Sequence, residues 1–295
     1  MSAASEPEAP LDSLLAVLDL EQIEVNIFRG RSPDDSGQRV FGGQVAGQAL
    51  IAAGRTVPSE RHVHSLHAYF LRPGDPTIPI VYEVDQLRDG RSFTTRRVVA
   101  VQHGRPIFNL SASFQIDEPG VSHQGEMPAA PDPESLPTVA ERMEAAGMGS
   151  APGRAFRRPI DLRYVNDPGW LPVADRVAPN PSGANQVWLR ADGTLPDDPL
   201  LHVCAVTYAS DLTLLDAVLL ANDLAFGDRA DLQVASLDHA MWFHRPFRAD
   251  EWLLYVQHSP SASGARGLAE GRLWTRDGRL AVSVVQEGLV RLPSR

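Results

Sequence analysis

Three polar residues stand in apolar surroundings, where each needs either a structural or a functional reason. Asp211 opens the run Asp211-Leu212-Thr213-Leu214-Leu215-Asp216-Ala217-Val218-Leu219-Leu220-Ala221, Ser236 precedes Leu237-Asp238-His239, and Gln286 interrupts Leu280 to Gly288. Each residue has a structural reading. Asp211, or Ser210 before it, can cap the first turn of a helix, although a carboxylate beside an apolar run is costly unless it meets donors or a positive dipole. Ser236 can be an ordinary strand-edge hydroxyl. Gln286 is either exposed at a strand edge or buried and in need of hydrogen-bond partners.

The other reactive side chains offer less. His62, His64 and His67 cluster without a carboxylate or thiol beside them, so no metal site is expected and His64 is left as a polar lining residue. The single cysteine, Cys204, lies in Leu201-His202-Val203-Cys204-Ala205-Val206, which reads as a buried strand. It can form no disulfide within the chain, and only His202 is near enough to activate it. There is no G-x-S-x-G elbow, no H-E-x-x-H and no Walker loop, so no cofactor is expected.

These residues need elements to hold them. Apolar spacing predicts a helix over Leu11 to Leu20, then a strand through Ile23, Val25 and Ile27. Gly42 to Gly54 has helical periodicity despite glycines at 43, 47 and 54, which implies that a sheet approaches it closely. Strands at 66–71, 80–84, 93–101 and 107–114 follow as an antiparallel meander, punctuated by turn residues. A second series places strands at 186–191 and 202–208, a buried helix over 211–221, and strands at 237–243, 252–257, 267–274 and 280–289. Between the two series the composition turns to proline, glutamate and alanine, with one short helix expected around Thr138 to Ala146.

The series echo one another. Phe70-Leu71-Arg72-Pro73 is followed by Tyr82 at the interval that separates Phe243-His244-Arg245-Pro246 from Tyr255, and the turn Gly104-Arg105 matches Gly278-Arg279. The chain therefore divides into a first repeat over 1–117, a Pro-rich linker over 118–155 and a second repeat over 156–295. A long helix wrapped by an antiparallel sheet, twice in one chain, is an α+β double hot-dog.

With 295 residues, 43% of them hydrophobic, each half can bury a core. A net charge of −10 gives no field to gather nucleic acid or an anionic membrane. An anionic ligand needs local arginines, and Arg88, Arg91, Arg96 and Arg97 are either that or a solvated strand face. The opening Met1 to Glu8 lacks the basic and apolar regions of a secretory signal, and no stretch has transmembrane length. Because Leu292-Pro293-Ser294-Arg295 is not a peroxisomal tripeptide, the cytoplasm is the expected compartment.

Several longer strings resemble the acyl-CoA thioesterase II family: Val40-Phe41-Gly42-Gly43-Gln44-Val45, His64-Ser65-Leu66-His67-Ala68-Tyr69-Phe70-Leu71-Arg72-Pro73-Gly74-Asp75, Ser210-Asp211-Leu212, Leu237-Asp238-His239-Ala240-Met241-Trp242-Phe243-His244-Arg245-Pro246-Phe247 and Val285-Gln286-Glu287-Gly288. The resemblance covers nearly the whole chain and implies two hot-dog repeats that hydrolyse acyl-CoA. It implies that Asp211, Ser236 and Gln286 match the family's aspartate, threonine or serine, and glutamine, which orient the hydrolytic water, and that His64 matches a histidine also implicated in activity. The first repeat, with Gly43 or Gln44 near the place of Asp211 and Ala112 at that of Gln286, looks catalytically degenerate. Acyl-CoA is the implied partner, and family members commonly assemble as homo-oligomers, dimers or tetramers. Two other classes stay open: a noncatalytic acyl-CoA-binding scaffold, against which the three retained residues argue, and a hot-dog enoyl-CoA hydratase or dehydratase, which resembles a different motif.

Overall fold

The computed structural model describes residues 10–33, 37–148, 159–177, 184–226 and 231–292. Helix α1 (Pro10–Leu18) leads into β1 (Glu21–Glu24), β2 (Ile27–Gly30), α2 (Gly42–Gly54) and the meander β3 (Arg61–Phe70), β4 (Ile80–Asp89), β5 (Phe93–Gln102) and β6 (Arg105–Ile116). After α3 (Val139–Ala145) come β7 (Ile160–Tyr164), β8 (Asn185–Ala191), α4 (Pro199–Ser210), α5 (Asp216–Ala221) and β9 (Gln233–Ser236). The strands β10 (Asp238–Phe243), β11 (Leu253–Ser263), β12 (Arg266–Thr275) and β13 (Leu280–Arg291) complete the series. The single strand expected through Ile23 and Ile27 is a hairpin instead. Asn26 takes a left-handed φ of 62°, a conformation open to asparagine, and the chain reverses there.

All of these strands join one antiparallel sheet in the order β1-β2-β4-β5-β6-β3-β10-β13-β12-β11-β8-β7, with β9 beside β13. Its centre is the β3–β10 pair, where His67 faces Ala240, Tyr69 faces Asp238 and Ser65 faces Trp242. Ala240 follows His67 by the interval that separates Phe243 from Phe70, so this pair is its own image under the repeat. A pseudo-twofold axis therefore passes through it. The architecture is α+β, as expected.

The sheet curls around two helices that pack against each other. A Cβ on Gly43 would fall 2.3 Å from the Tyr208 carbonyl oxygen, and one on Gly47 would fall 3.2 Å from that of Cys204. The glycines of α2 thus admit a second helix and not, as expected, the sheet. That second helix corrects another reading, because 202–208 is part of α4 and not a strand. Asp198 caps α4 by accepting the Leu200 N–H at 3.0 Å, with Pro199 at the first helical position. An unbroken apolar run carries no period by which to tell helix from strand. Cys204 is fully buried within it, and burial pushes its thiol pKa up, so it is an inert core residue.

The linker is strapped to the outer face of the second half. Val187 and Leu189 point into the main core, and Trp188 between them joins Trp252, Leu254 and Trp274 on the opposite face. Met127, Ala130 and Leu136 pack on this cluster, and Trp188 Nε1 donates to the Pro131 carbonyl at 2.8 Å. Arg276 adds ion pairs of 2.9 Å with Asp132 and with Glu134. The short helix forms as expected, with Thr138 and Glu141 in a reciprocal capping box.

Candidate active site

Asp211 does not begin a helix. Residues 211–215 are turns, α5 starts only at Asp216, and Asp211 is the residue that closes the C-terminus of α4. The stabilising N–H group comes from the other repeat, where α2 begins after Phe41 without a side-chain cap and Gly43 donates its backbone N–H to the Asp211 carboxylate. Gly42 permits this approach, since a Cβ there would sit 2.6 Å from Asp211 Oδ2.

Gln286 and Ser236 reach the same carboxylate from β13 and β9. Strand β13 pairs with β10 as far as Val285 and with β9 from Gly288 onward. At the break, Asp238 Oδ1 accepts the Glu287 N–H at 2.6 Å. The switch of partner sets Ser236 beside Gln286 on the inner side of the sheet. Gln286 Nε2 donates to Asp211 Oδ1 at 2.6 Å and Ser236 Oγ donates to the same oxygen at 3.0 Å. Gln286 is fully buried, which removes the exposed-edge reading. Burial raises the Asp211 pKa, and the bonds from Gln286, Ser236 and Gly43 work against that rise. A carboxylate whose pKa is raised by burial is a stronger proton acceptor than an exposed one.

Asp211 and Ser236 line a cavity of about 480 Å³ between the repeats. Its walls include Val40, Phe41, Val45, Phe70, Ile107 and Leu215, and Arg39 and Arg72 stand exposed at its rim. This space suits an apolar chain with an anionic end. Of the arginines singled out in the sequence, none lines this cavity, and two are occupied elsewhere. Arg96 is buried and bonded to Thr56 and Asp89, and Arg97 pairs with Asp85 at 2.5 Å.

His64 is not brought to this site. It lies on the outer face of the sheet, with Nε2 2.8 Å from Ser113 Oγ and its ring edge-on to Phe93. Ala112 and Phe114 flank Ser113 and point inward instead. Among the described residues, no group of three His, Cys, Asp or Glu side chains could hold a metal.

Pseudo-symmetry also relocates the counterpart of Asp211. Because Asp211 follows the end of α4, its match is the end of α2 at Gly54 and not Gly43 or Gln44. There a Cβ would meet the Leu200 side chain at 2.5 Å. A leucine fills the space that a carboxylate fills in the second repeat.

Sequence reading takes Ser210 only as a possible helix cap and gives His239 and Tyr255 no role, yet the three meet behind Asp211. Ser210 is buried, His239 Nε2 lies 2.8 Å from its Oγ, and Tyr255 OH donates to its carbonyl at 3.2 Å. The signal lay in the repeat itself, for His239 occupies the position that Leu66 holds in the first copy.

Burial lowers the His239 pKa to about 4, so the folded chain keeps the ring neutral at neutral pH. An unfolded chain takes up that proton near pH ~6.5. Stability present above this value is therefore lost as pH falls toward the folded value, by up to about 3 kcal/mol for this one group. In His239→Leu the acid limb of a plot of melting temperature against pH is expected to flatten. An unchanged slope would assign it to His64, His202 and His244, whose pKa values burial also lowers.

Comparisons with known proteins show the family. The family model described as acyl-CoA thioesterase matches residues 160–289, and that described as acyl-CoA thioesterase N-terminal domain matches residues 31–115. The chain is similar to acyl-coenzyme A thioesterase 8 of Homo sapiens, with 42% identity over 97% of this chain and 92% of that protein. Identity to acyl-CoA thioesterase 2 of Haemophilus influenzae is 38%, over 95% and 98% of the two chains. Among solved structures, an acyl-CoA thioesterase II from Mycobacterium marinum superposes with a TM-score of 0.77 at 50% identity, covering 95% of this chain and 98% of that one. A hot-dog protein from Alicyclobacillus acidocaldarius shares the fold at 18% identity, with a TM-score of 0.76 over 95% and 98% of the two chains. The chain belongs to the acyl-CoA thioesterase family and is a double hot-dog thioester hydrolase acting on acyl-CoA.

Proposed function

We propose that Asp211 is the general base of this hydrolysis, with Ser236 and Gln286 as the groups that orient the attacking water. The observation that carries this reading is the convergence of both donors on one oxygen of Asp211, at 2.6 and 3.0 Å, beside a cavity. Asp211 takes a proton as the water oxygen attacks the thioester carbon. The tetrahedral oxyanion faces the first turn of α2, whose backbone N–H groups and dipole favour negative charge. When the intermediate collapses, the C–S bond breaks, the electron pair leaves on sulfur, and the proton held by Asp211 is passed to the thiolate. The products are a carboxylic acid and CoA thiol, with no acyl-enzyme required.

Release of free thiol from acyl-CoAs of graded length tests the reading. Ser236→Ala and Gln286→Leu are each expected to lower kcat by about 10- to 10³-fold, and turnover within threefold of wild type would exclude them from the reaction. A 3-hydroxyacyl product from an enoyl-CoA would mark a hydratase instead.

The CoA moiety belongs at the rim, where Arg39 and Arg72 supply positive charge on a chain of net charge −10. Loss of one charged hydrogen bond is worth about 1.5–3 kcal/mol. Arg39→Gln is thus expected to raise KM by roughly tenfold or more with kcat unchanged, and an unaltered KM would place the phosphates elsewhere. His64, outside the cavity, is assigned a structural role through Ser113. We further propose that the repeats 1–117 and 156–295 each form one hot-dog unit joined by 118–155, and that chains assemble as dimers or tetramers in the cytoplasm. Exposed Tyr69, Leu71 and Phe93 supply apolar surface for that assembly, which sedimentation velocity measures.

A further inference from the structure

We propose that His239 is a positioning residue that holds the Ser210-Asp211 peptide in place for catalysis. The inference rests on the reading of Asp211 as the base. Asp211 lies where α4 stops and the chain enters turns, a point at which the helix itself no longer fixes the backbone. Two side chains hold it from the sheet. Tyr255 donates to the Ser210 carbonyl at 3.2 Å, and His239 Nε2 meets Ser210 Oγ at 2.8 Å. The Thr207 carbonyl, 2.9 Å from the same hydroxyl, can only accept. When Ser210 donates to it, His239 donates to Ser210 through Nε2, and the serine links strand β10 to the end of α4.

The first repeat shows that folding does not require this histidine. At the equivalent position stands Leu66, fully buried in the same layer between sheet and helix. Tyr82, the match of Tyr255, donates instead to Gln48 Oε1 at 2.6 Å. Ala112 replaces Gln286, and no carboxylate follows α2. The histidine is thus found only in the half that has a carboxylate to place. It is also unfavourable where it stands, because its Nδ1 is buried with no hydrogen-bond partner among the described residues. An apolar residue would be at least as stable there, so what the histidine supplies is the position of Ser210.

The test uses the full chain with thiol release and thermal melting as paired readouts. His239→Leu installs the first repeat's residue, and it is expected to lower kcat by about 10- to 100-fold, the scale of a misplacement near 1 Å. KM should stay within twofold and the melting temperature at neutral pH should be equal or higher. His239→Gln, whose amide can donate toward Ser210 Oγ, should recover most of the loss. Ser210→Ala breaks the same link with a smaller side chain, and its effect should not add to that of His239→Leu. Unchanged kcat in His239→Leu and Ser210→Ala would overturn the proposal. So would losses that only track melting temperature, or a glutamine variant no better than the leucine one. Should Asp211→Asn also retain activity, it is the assignment of the base that fails.

Discussion

Asp211→Asn is expected to fold normally and to lose about 10² to 10⁴ of kcat. The two halves of this result come from one cause. Burial raises the folded-state pKa of Asp211 above its ordinary value even though Gln286, Ser236 and Gly43 donate to it. The folded chain therefore holds that proton more tightly than the unfolded chain does, and stability falls as pH rises through the unfolded value of ~3.9. At neutral pH the charge is a net burden on folding. Asparagine has the same shape, keeps one oxygen acceptor toward Gln286 and Ser236, and carries no charge to desolvate. Its melting temperature should match or exceed that of the wild type near neutral pH, an advantage that vanishes below about pH 4. It cannot take a proton from water. Loss of turnover in a protein that is no less stable separates the base from a structural residue, and kcat within threefold of wild type would remove Asp211 from the chemistry.

How far this site could be read from sequence depends on what each residue advertises. The meanders were legible because β-rich runs alternated between proline and glycine turns, and α2 was legible to the residue. Asp211, Ser236 and Gln286 could be singled out because each breaks an apolar pattern, and the family strings fixed their company. Their arrangement could not be read locally. Leu201 to Val206 and Leu212 to Ala221 are apolar on nearly all sides, so neither shows a period, and sequence alone sets the helix one segment too late. That shift moves Asp211 from the end of α4 to the start of a helix. The dipole credited to its own helix in fact comes from α2, across the pseudo-twofold axis, a relation between residues 43 and 211 that no spacing reveals. His64 is the opposite case. Its strand position is plain, yet which face it takes depends on a bulge between Val63 and Ser65, and the outer face wins.

The largest structural effect is expected from Gly43→Ala, a change of one methyl group. A Cβ at this position would lie 2.3 Å from the Tyr208 carbonyl oxygen and 2.6 Å from the Phe41 ring. The ring can turn, but the carbonyl belongs to the backbone of α4 and moves only if the helices separate. Overpacking of a close helix contact costs about 1–3 kcal/mol. With a shift of roughly 2–4 °C per kcal/mol for a chain a little smaller than this one, this overpacking alone would lower the melting temperature by about 2–12 °C. The gain of alanine over glycine in helix propensity, about 1 kcal/mol, leaves a net loss of up to about 2 kcal/mol, a fall of up to about 8 °C. Activity should fall more than stability. The same displacement draws the Gly43 N–H away from Asp211 and parts the first turn of α2 from the carboxylate it serves, so kcat is expected to drop by about 10²-fold at temperatures where the variant is fully folded. Gly47→Ala is the internal comparison. Its nearest atoms stand 3.2 Å away and one is a leucine methyl that can yield, and it lies one helical turn from the site. It should lose less stability and almost no kcat. If both variants behaved alike, close approach of the helices would matter to the fold alone, and the alignment of α2 with Asp211 would have no part in the reaction.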